Sequence, residues 1–173
     1  MGYIHDTGMV AWIPPDVGVY YGGTWTFLAG AEMTPSRHRA AAAGWFYVDM
    51  PLLIPHQNRN NYKGCRISKA TLYYLVASAN LLSLTVYILA QDFPGGYTFA
   101  TWPAETSLGF SYDSTHQTAS NRLTQTYHAL ELTLSSGRWI SGGEFLHVKL
   151  VAEAPAGTAF DFYGMKVDYT LRL

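Results

Sequence analysis

Residues 72–90 read LYYLVASANLLSLTVYILA, nineteen residues without a charge, and whether they form a membrane span or β-core decides the fold. As a helix, at about 1.5 Å per residue, the run would nearly cross a hydrocarbon layer of about 30 Å. Three features turn the reading toward strands. Ser78, Ala79 and Asn80 place a small, polar turn signal mid-run, where a lipid-facing helix takes Leu, Ile and Val. The flanks are β-formers: Thr71, Tyr73, Tyr74 and Val76 before the turn, Thr85, Val86, Tyr87 and Ile88 after it. The second half also alternates, with Leu82, Leu84, Val86, Ile88 and Ala90 on one face and every polar residue on the other. The stretch therefore predicts two strands joined by a short turn, and no membrane span.

The same alternation recurs outward along the chain. In TYHALELTL, Ala129, Glu131 and Thr133 oppose His128, Leu130, Leu132 and Leu134. In EFLHVKLVAEA, Phe145, His147, Lys149 and Val151 oppose Leu146, Val148, Leu150 and Ala152. The carboxyl-terminal DFYGMKVDYTLRL assigns Phe162, Gly164, Lys166, Asp168, Thr170 and Arg172 to one parity, and Tyr163, Met165, Val167, Tyr169, Leu171 and Leu173 to the other. Segments of this kind are half-buried antiparallel strands. Turn signals punctuate them at Pro14-Pro15, Gly22-Gly23, Pro94-Gly95-Gly96, Ser135-Ser136-Gly137 and Gly142-Gly143. Strands are predicted over 9–13, 24–28, 44–50, 65–77, 81–91, 97–101, 128–134, 144–153 and 158–173, the pattern of an all-β antiparallel sandwich. The alanine run in PSRHRAAAAGW, 35–45, predicts either a short helix closed by Gly44 or an entry to the strand at Trp45. Residues 111–127, rich in Ser and Thr, predict a surface loop with one helical turn near 119–123. The polar QNRNNY at 57–62 marks a candidate boundary between an aromatic amino-terminal portion, 1–62, and a body, 63–173; the alternative is a single domain.

Composition bounds the function. A chain of 173 residues with 49% apolar content can build one sizeable core. Only 13% of residues are charged and 15% are aromatic, so neutral and aromatic surface is expected to meet a partner. A net charge of −1 without a Lys/Arg cluster gives no electrostatic case for nucleic acid. The single cysteine, Cys65, forms no internal disulfide, and the amino end, MGYIHDTGMVAWIPP, lacks the basic start and unbroken apolar core of an export signal. Folding in a cytoplasm is the expectation.

Chemistry-bearing motifs are sparse. The six histidines, His5, His38, His56, His116, His128 and His147, are spread singly, without the paired spacing that preorganises metal ligands. Asp113 and His116, with Ser111 and Ser114, supply the residue types of a hydrolytic triad, but one short loop does not place a nucleophile, a base and an orienting group in sequence. Loop capping is the better account of them. Cys65 beside Lys63 and Arg66 reads as packing rather than as a nucleophile. No phosphate loop, dinucleotide fingerprint or Gly-x-Ser-x-Gly elbow is present, so neither catalysis nor a cofactor is expected. The aromatic residues carry the strongest signal, and Trp12, Tyr20, Tyr21, Trp25, Phe27 and Trp45 are the candidate interface residues.

The succession SKATLYYLV, LTVYILAQ, SYDSTHQTASNR, YHALELTL, WISGGEFLHVKLVAEA and FDFYGMKVDYTLRL resembles, in segment order and style, the jelly-roll decoration or cement proteins of tailed-phage heads. The likeness covers about residues 63–173, and residues 2–54 have no counterpart in it. It implies a two-sheet jelly roll with an extended amino-terminal segment and a homotrimer on three-fold axes of the head. The implied partner is the major capsid protein, with no role for nucleic acid or membrane. The expected role is then structural and non-enzymatic: a virion protein of the capsid surface, made in the host cytoplasm, that binds across capsomer joints and stabilises the assembled head. The alternative with the same fold and aromatics is a carbohydrate- or receptor-binding module, with Trp12, Trp25 or Trp45 as ligand contacts. A jelly-roll enzyme of cupin type is a third reading, and would need a metal held by the scattered histidines.

Overall fold

The computed structural model describes residues 5–30, 33–54, 64–92, 105–140 and 144–172. Its elements are β1 (Asp6–Ile13), a 3-10 turn (Pro15–Val17), β2 (Val19–Tyr21), β3 (Trp25–Gly30), β4 (Met33–Arg39), β5 (Gly44–Pro51), β6 (Gly64–Ala77) and β7 (Ser83–Asp92). They continue with β8 (Glu105–Leu108), β9 (Phe110–Tyr112), α1 (Ala119–Leu123), β10 (Tyr127–Ile140), β11 (Glu144–Ala154) and β12 (Ala159–Arg172). Two antiparallel sheets pack face to face as a β-sandwich of jelly-roll type, β4-β12-β6-β10 facing β5-β11-β7-β8. The larger, seven-stranded sheet runs β3-β4-β12-β6-β10-β9, with β1 also on β12; the smaller, five-stranded sheet runs β2-β5-β11-β7-β8.

The opening stretch is two strands, as read, but they belong to different sheets. Ser78 takes a positive φ of 73° and the chain crosses from β6 in the larger sheet to β7 in the smaller. Backbone bonds from Leu81 to the Leu123 carbonyl and from Leu82 to the Glu153 carbonyl hold the corner. Leu84, Val86, Ile88 and Ala90 are buried, as the alternation requires, whereas Leu82, assigned to the same face, precedes the strand and is exposed. No helix among the described residues is long and apolar enough to cross a membrane.

The first fifty residues supply strands to both sheets. β1 and β4 share one flank of β12, β4 pairing with Phe160–Phe162 and β1 with Met165–Arg172, while β6 runs along the other flank. β2 and β5 enter the smaller sheet through β11. Arg39, 1% exposed, staples this region by donating to the Gly22 and Ala42 carbonyls while its guanidinium lies 4.5 Å from the centre of the Phe46 ring. Phe46 in turn touches Phe160 at 5.0 Å, so the early strands are keyed into the common core.

Three sequence expectations are corrected. Residues 35–39 lie in β4 and 40–43 are irregular, so the alanine run forms no helix. Pairing of Arg37–Arg39 with both β3 and β12 outweighs the helix propensity of a few alanines. The 111–127 segment includes strand β9 in addition to the helical turn α1. Finally, the parity of β12 switches at a bulge between Phe162 and Gly164. Phe160 and Phe162 face the core together with Met165, Val167, Tyr169 and Leu171, and Tyr163 faces outward. The predicted strand over 97–101, the boundary at 57–62 and Lys63 lie outside the described residues.

Candidate functional site

The bulge in β12 builds the site. Gly164 has a φ of +112°, a conformation that L side chains avoid, and stands opposite Tyr73 of β6. A Cβ there would lie 2.6 Å from the Ile13 carbonyl oxygen and 3.2 Å from the Trp12 indole. With no side chain in the way, Trp12 of β1 reaches over β12 and meets Tyr73 of β6, ring centres 5.3 Å apart and planes tilted by 48°. A second pair forms alongside, Tyr127 of β10 and Tyr163 of β12, with ring centres 5.9 Å apart.

Together these rings line an open trough of about 580 Å³ on the outer face of the larger sheet. Volumes of about 300–1,000 Å³ are usual for small-molecule sites. Trp12 is 51% exposed and Tyr127 70% exposed, although both are large and apolar. Asp161 closes one end, its carboxylate 2.6 Å from His38 Nδ1, and Thr34 and Ser36 add hydroxyls to the wall. Burial, together with a hydrogen bond to Tyr127, raises the Tyr163 hydroxyl above the ordinary tyrosine range and keeps it protonated. Chemically the trough offers ring faces for an apolar surface, and hydroxyls and a carboxylate for polar groups at its edge.

The residues singled out from the sequence are dispersed. Of the six aromatic candidates only Trp12 enters the trough, and of the six histidines His128 lines it. Tyr20 and Trp25 pack together at 4.8 Å against the core, Tyr20 donating to the Pro15 carbonyl. Phe27 lies on β3 under the Arg37 guanidinium. Tyr21 and Trp45 lie on the outer face of the smaller sheet, Tyr21 stacked on Tyr47 at 4.4 Å and Trp45 60% exposed. Sequence reasoning missed Tyr73, Tyr127, Asp161 and Tyr163. An aromatic at an outward-facing parity was an available signal for Tyr73, but Tyr163 was hidden by the bulge.

The hydrolytic residue types of the 111–127 segment serve the loop. The Asp113 carboxylate accepts from the backbone N–H groups of Thr115, His116 and Glu131 and faces His116 Nδ1 at 2.8 Å. His116 Nε2 meets His128 Nδ1 at 3.2 Å, and His128 Nε2 donates to the Thr124 carbonyl at 2.9 Å. These links join Asp113, His116, His128 and the Thr124 carbonyl into one hydrogen-bonded relay. Ser111 lies in β9, paired with Thr133. Cys65 is buried, and burial pushes its thiol up to about 11, where it is an inert packing group at neutral pH. Among the described residues no group of three or more His, Cys, Asp or Glu is arranged to hold a metal, and His56 lies outside them.

The relay makes stability pH-dependent from the acid side. Burial lowers the pKa of His128, so below about 6.5 the unfolded chain takes up a proton that the folded chain resists. Its contribution is complete above that pH and falls as pH drops through it. Burial would raise Asp113, but the His116 side chain and the Glu131 and His116 backbone N–H groups outweigh it and hold the carboxyl below its usual range. That contribution is complete above about pH 4 and is lost on further acidification. Denaturant midpoints measured between pH 8 and pH 3 are expected to show two descending limbs, with Asp113→Asn removing the lower one. An unchanged lower limb in that variant would exclude Asp113 as its source.

No protein-family model matches the chain, and no curated protein is significantly similar to it. Among solved structures it is similar to a family 35 carbohydrate-binding module from Clostridium thermocellum, at 12% identity and a TM-score of 0.37, over 95% of this chain and 98% of that one. It is also similar to the family 11 carbohydrate-binding module of a cellulosomal cellulase of Clostridium thermocellum, at 8% identity and a TM-score of 0.39, over 96% and 88%.

Proposed function

We propose that this chain is a non-catalytic carbohydrate-binding β-sandwich that holds a neutral saccharide in the aromatic trough of its larger sheet. The carrying observation is the pair of aromatic contacts, Trp12 with Tyr73 and Tyr127 with Tyr163, beside the Asp161 carboxylate. A pyranose ring has a face of C–H groups and a rim of hydroxyls. The ring faces take the first, and Asp161 with the tyrosine hydroxyls takes the second. Two aromatic side chains as exposed as Trp12 and Tyr127 fit a surface that is covered when ligand binds.

A glycan array followed by calorimetry with the best soluble oligosaccharide tests this. Trp12→Ala and Tyr127→Ala are each expected to weaken binding about tenfold, the equivalent of one lost aromatic contact of about 1.4 kcal/mol. Tyr127→Ala should leave thermal stability unchanged because the side chain is largely exposed. No glycan bound, or binding unaffected by both substitutions, would overturn the proposal.

A second reading, attachment as a homotrimer to the major capsid protein of an assembled phage head, is supported by the sequence resemblance. The exposed apolar residues of the smaller sheet, Val19, Tyr21, Trp45, Tyr87 and Phe145, also support it. Light scattering on the purified chain and co-sedimentation with heads separate the two readings. A monomer that does not sediment with heads removes the second.

A further inference from the structure

A separate cup of about 270 Å³ opens on the outer face of the smaller sheet, on the opposite side of the sandwich from the aromatic trough. Val17 and Val19 wall one side, Pro51 and Phe145 contribute apolar surface, and Asp49, Glu105 and His147 supply its charge. His147 is the floor. It sits on an outward-facing position of β11, yet is only 4% exposed, with the Phe145 ring stacked 5.5 Å away. Its Nδ1 lies 2.6 Å from an Asp49 oxygen, which fixes that nitrogen as the donor.

The other ring nitrogen is one of seven buried side-chain polar atoms without a hydrogen-bond partner among the described residues. Nε2 is buried with no hydrogen-bond partner, and the nearest charged atom is Glu105 Oε1 at 3.7 Å, beyond bonding distance. In the neutral imidazole, with the proton on Nδ1, Nε2 presents a lone pair toward a carboxylate oxygen, two acceptors with no donor between them. An unsatisfied buried polar atom costs about 1–3 kcal/mol, and such atoms are rare in native proteins. The adjacent cation, Lys149, does not fill the gap, because its ammonium lies over the Tyr47 ring at 5.1 Å. Asp49, His147 and Glu105 are not arranged to hold a metal ion.

We propose that this cup binds a primary alkylammonium group, whose N–H donors bridge His147 Nε2, Glu105 and Asp49 while its methylene stem lies against Val19, Pro51 and Phe145. An ammonium supplies three donors and no acceptor, the complement of a lone pair flanked by two carboxylates. The apolar wall suits an alkyl stem with a charged head, and the exposed Phe145 ring adds attraction for a cation. Widening the gap between His147 and Glu105 needs only a rotation of the Glu105 side chain, which is 44% exposed.

The test is a titration of the full chain with n-butylammonium, followed through the His147 ring nitrogens by NMR, with n-butanol as the isosteric neutral control. A saturable shift is expected with the amine and none with the alcohol. Glu105→Gln, which keeps the shape and removes the charge of an exposed side chain, is expected to weaken the amine about tenfold. Nα-acetyl-lysine methylamide distinguishes the sources of the group. Binding of the capped lysine points to a lysine side chain of another protein, and binding of n-butylammonium alone points to a free amine. Equal shifts with n-butanol, no saturable shift with n-butylammonium, or unchanged affinity in Glu105→Gln would each overturn the proposal. None of these outcomes bears on the saccharide trough.

Discussion

Gly164→Val is expected to lower stability by about 3 kcal/mol or more and to abolish ligand binding in the trough with it. Two costs combine. The backbone at φ +112° is strained for any residue with a Cβ, which costs about 1–3 kcal/mol. The new side chain also drives into the Ile13 carbonyl and the Trp12 indole, which can yield only if β1 lifts from β12. Hydrogen exchange should therefore show the amides of Val10–Ile13 losing protection while those of β6 and β10 keep theirs. A variant that denatures at the wild-type midpoint with β1 still protected would show that the bulge does not need glycine. The milder Gly164→Ala separates strain from bulk, because its methyl group meets the same carbonyl oxygen with less volume to place.

Arg39→Ala is the second large effect, expected at about 3 kcal/mol from two lost hydrogen bonds to the Gly22 and Ala42 carbonyls and a void beside Phe46. Arg39 is one of the largest fully buried side chains, and it bonds the Gly22 and Ala42 carbonyls from the strand between them. Its loss should open the β2–β3 and β4–β5 connections together, visible as one coupled loss of exchange protection across 19–27 and 39–46. Arg39→Lys should recover little, since a single ammonium cannot reproduce the planar fork and its contact with the Phe46 ring. Full stability in Arg39→Ala would mean that the amino-terminal strands are held by their ladders alone.

Much of the architecture was legible because a strand with one buried face writes a period of two into its residues. β7, β10 and β11 were each located by that period, and β6 by its run of β-forming residues. β2, β4, β8 and β9 were not recovered, being short or lying at polar edges where burial imposes little pattern. The trough was less legible than the sheets. It is assembled by β1, β6, β10 and β12, whose contributing residues are spread along the chain from Trp12 to Tyr163, and its geometry depends on one glycine that breaks the alternation of the best-patterned strand. Crowding of aromatics in the first fifty residues pointed to Trp12, but Tyr127 and Tyr163 carry no local mark that separates them from core tyrosines such as Tyr74.

What the amino-acid sequence by itself determined is the class of structure: alternation, turn residues and β-branched content make an antiparallel sandwich the arrangement that buries these side chains and leaves their polar neighbours wet. What only the tertiary structure decided is which surface residues become neighbours. Strand order is set by long-range pairing, and a bulge reverses the face of every residue on one side of it. The meeting of Trp12 with Tyr73 across Gly164, and of His147 with Asp49 and Glu105 on the opposite sheet, follows from that pairing and from no spacing along the chain.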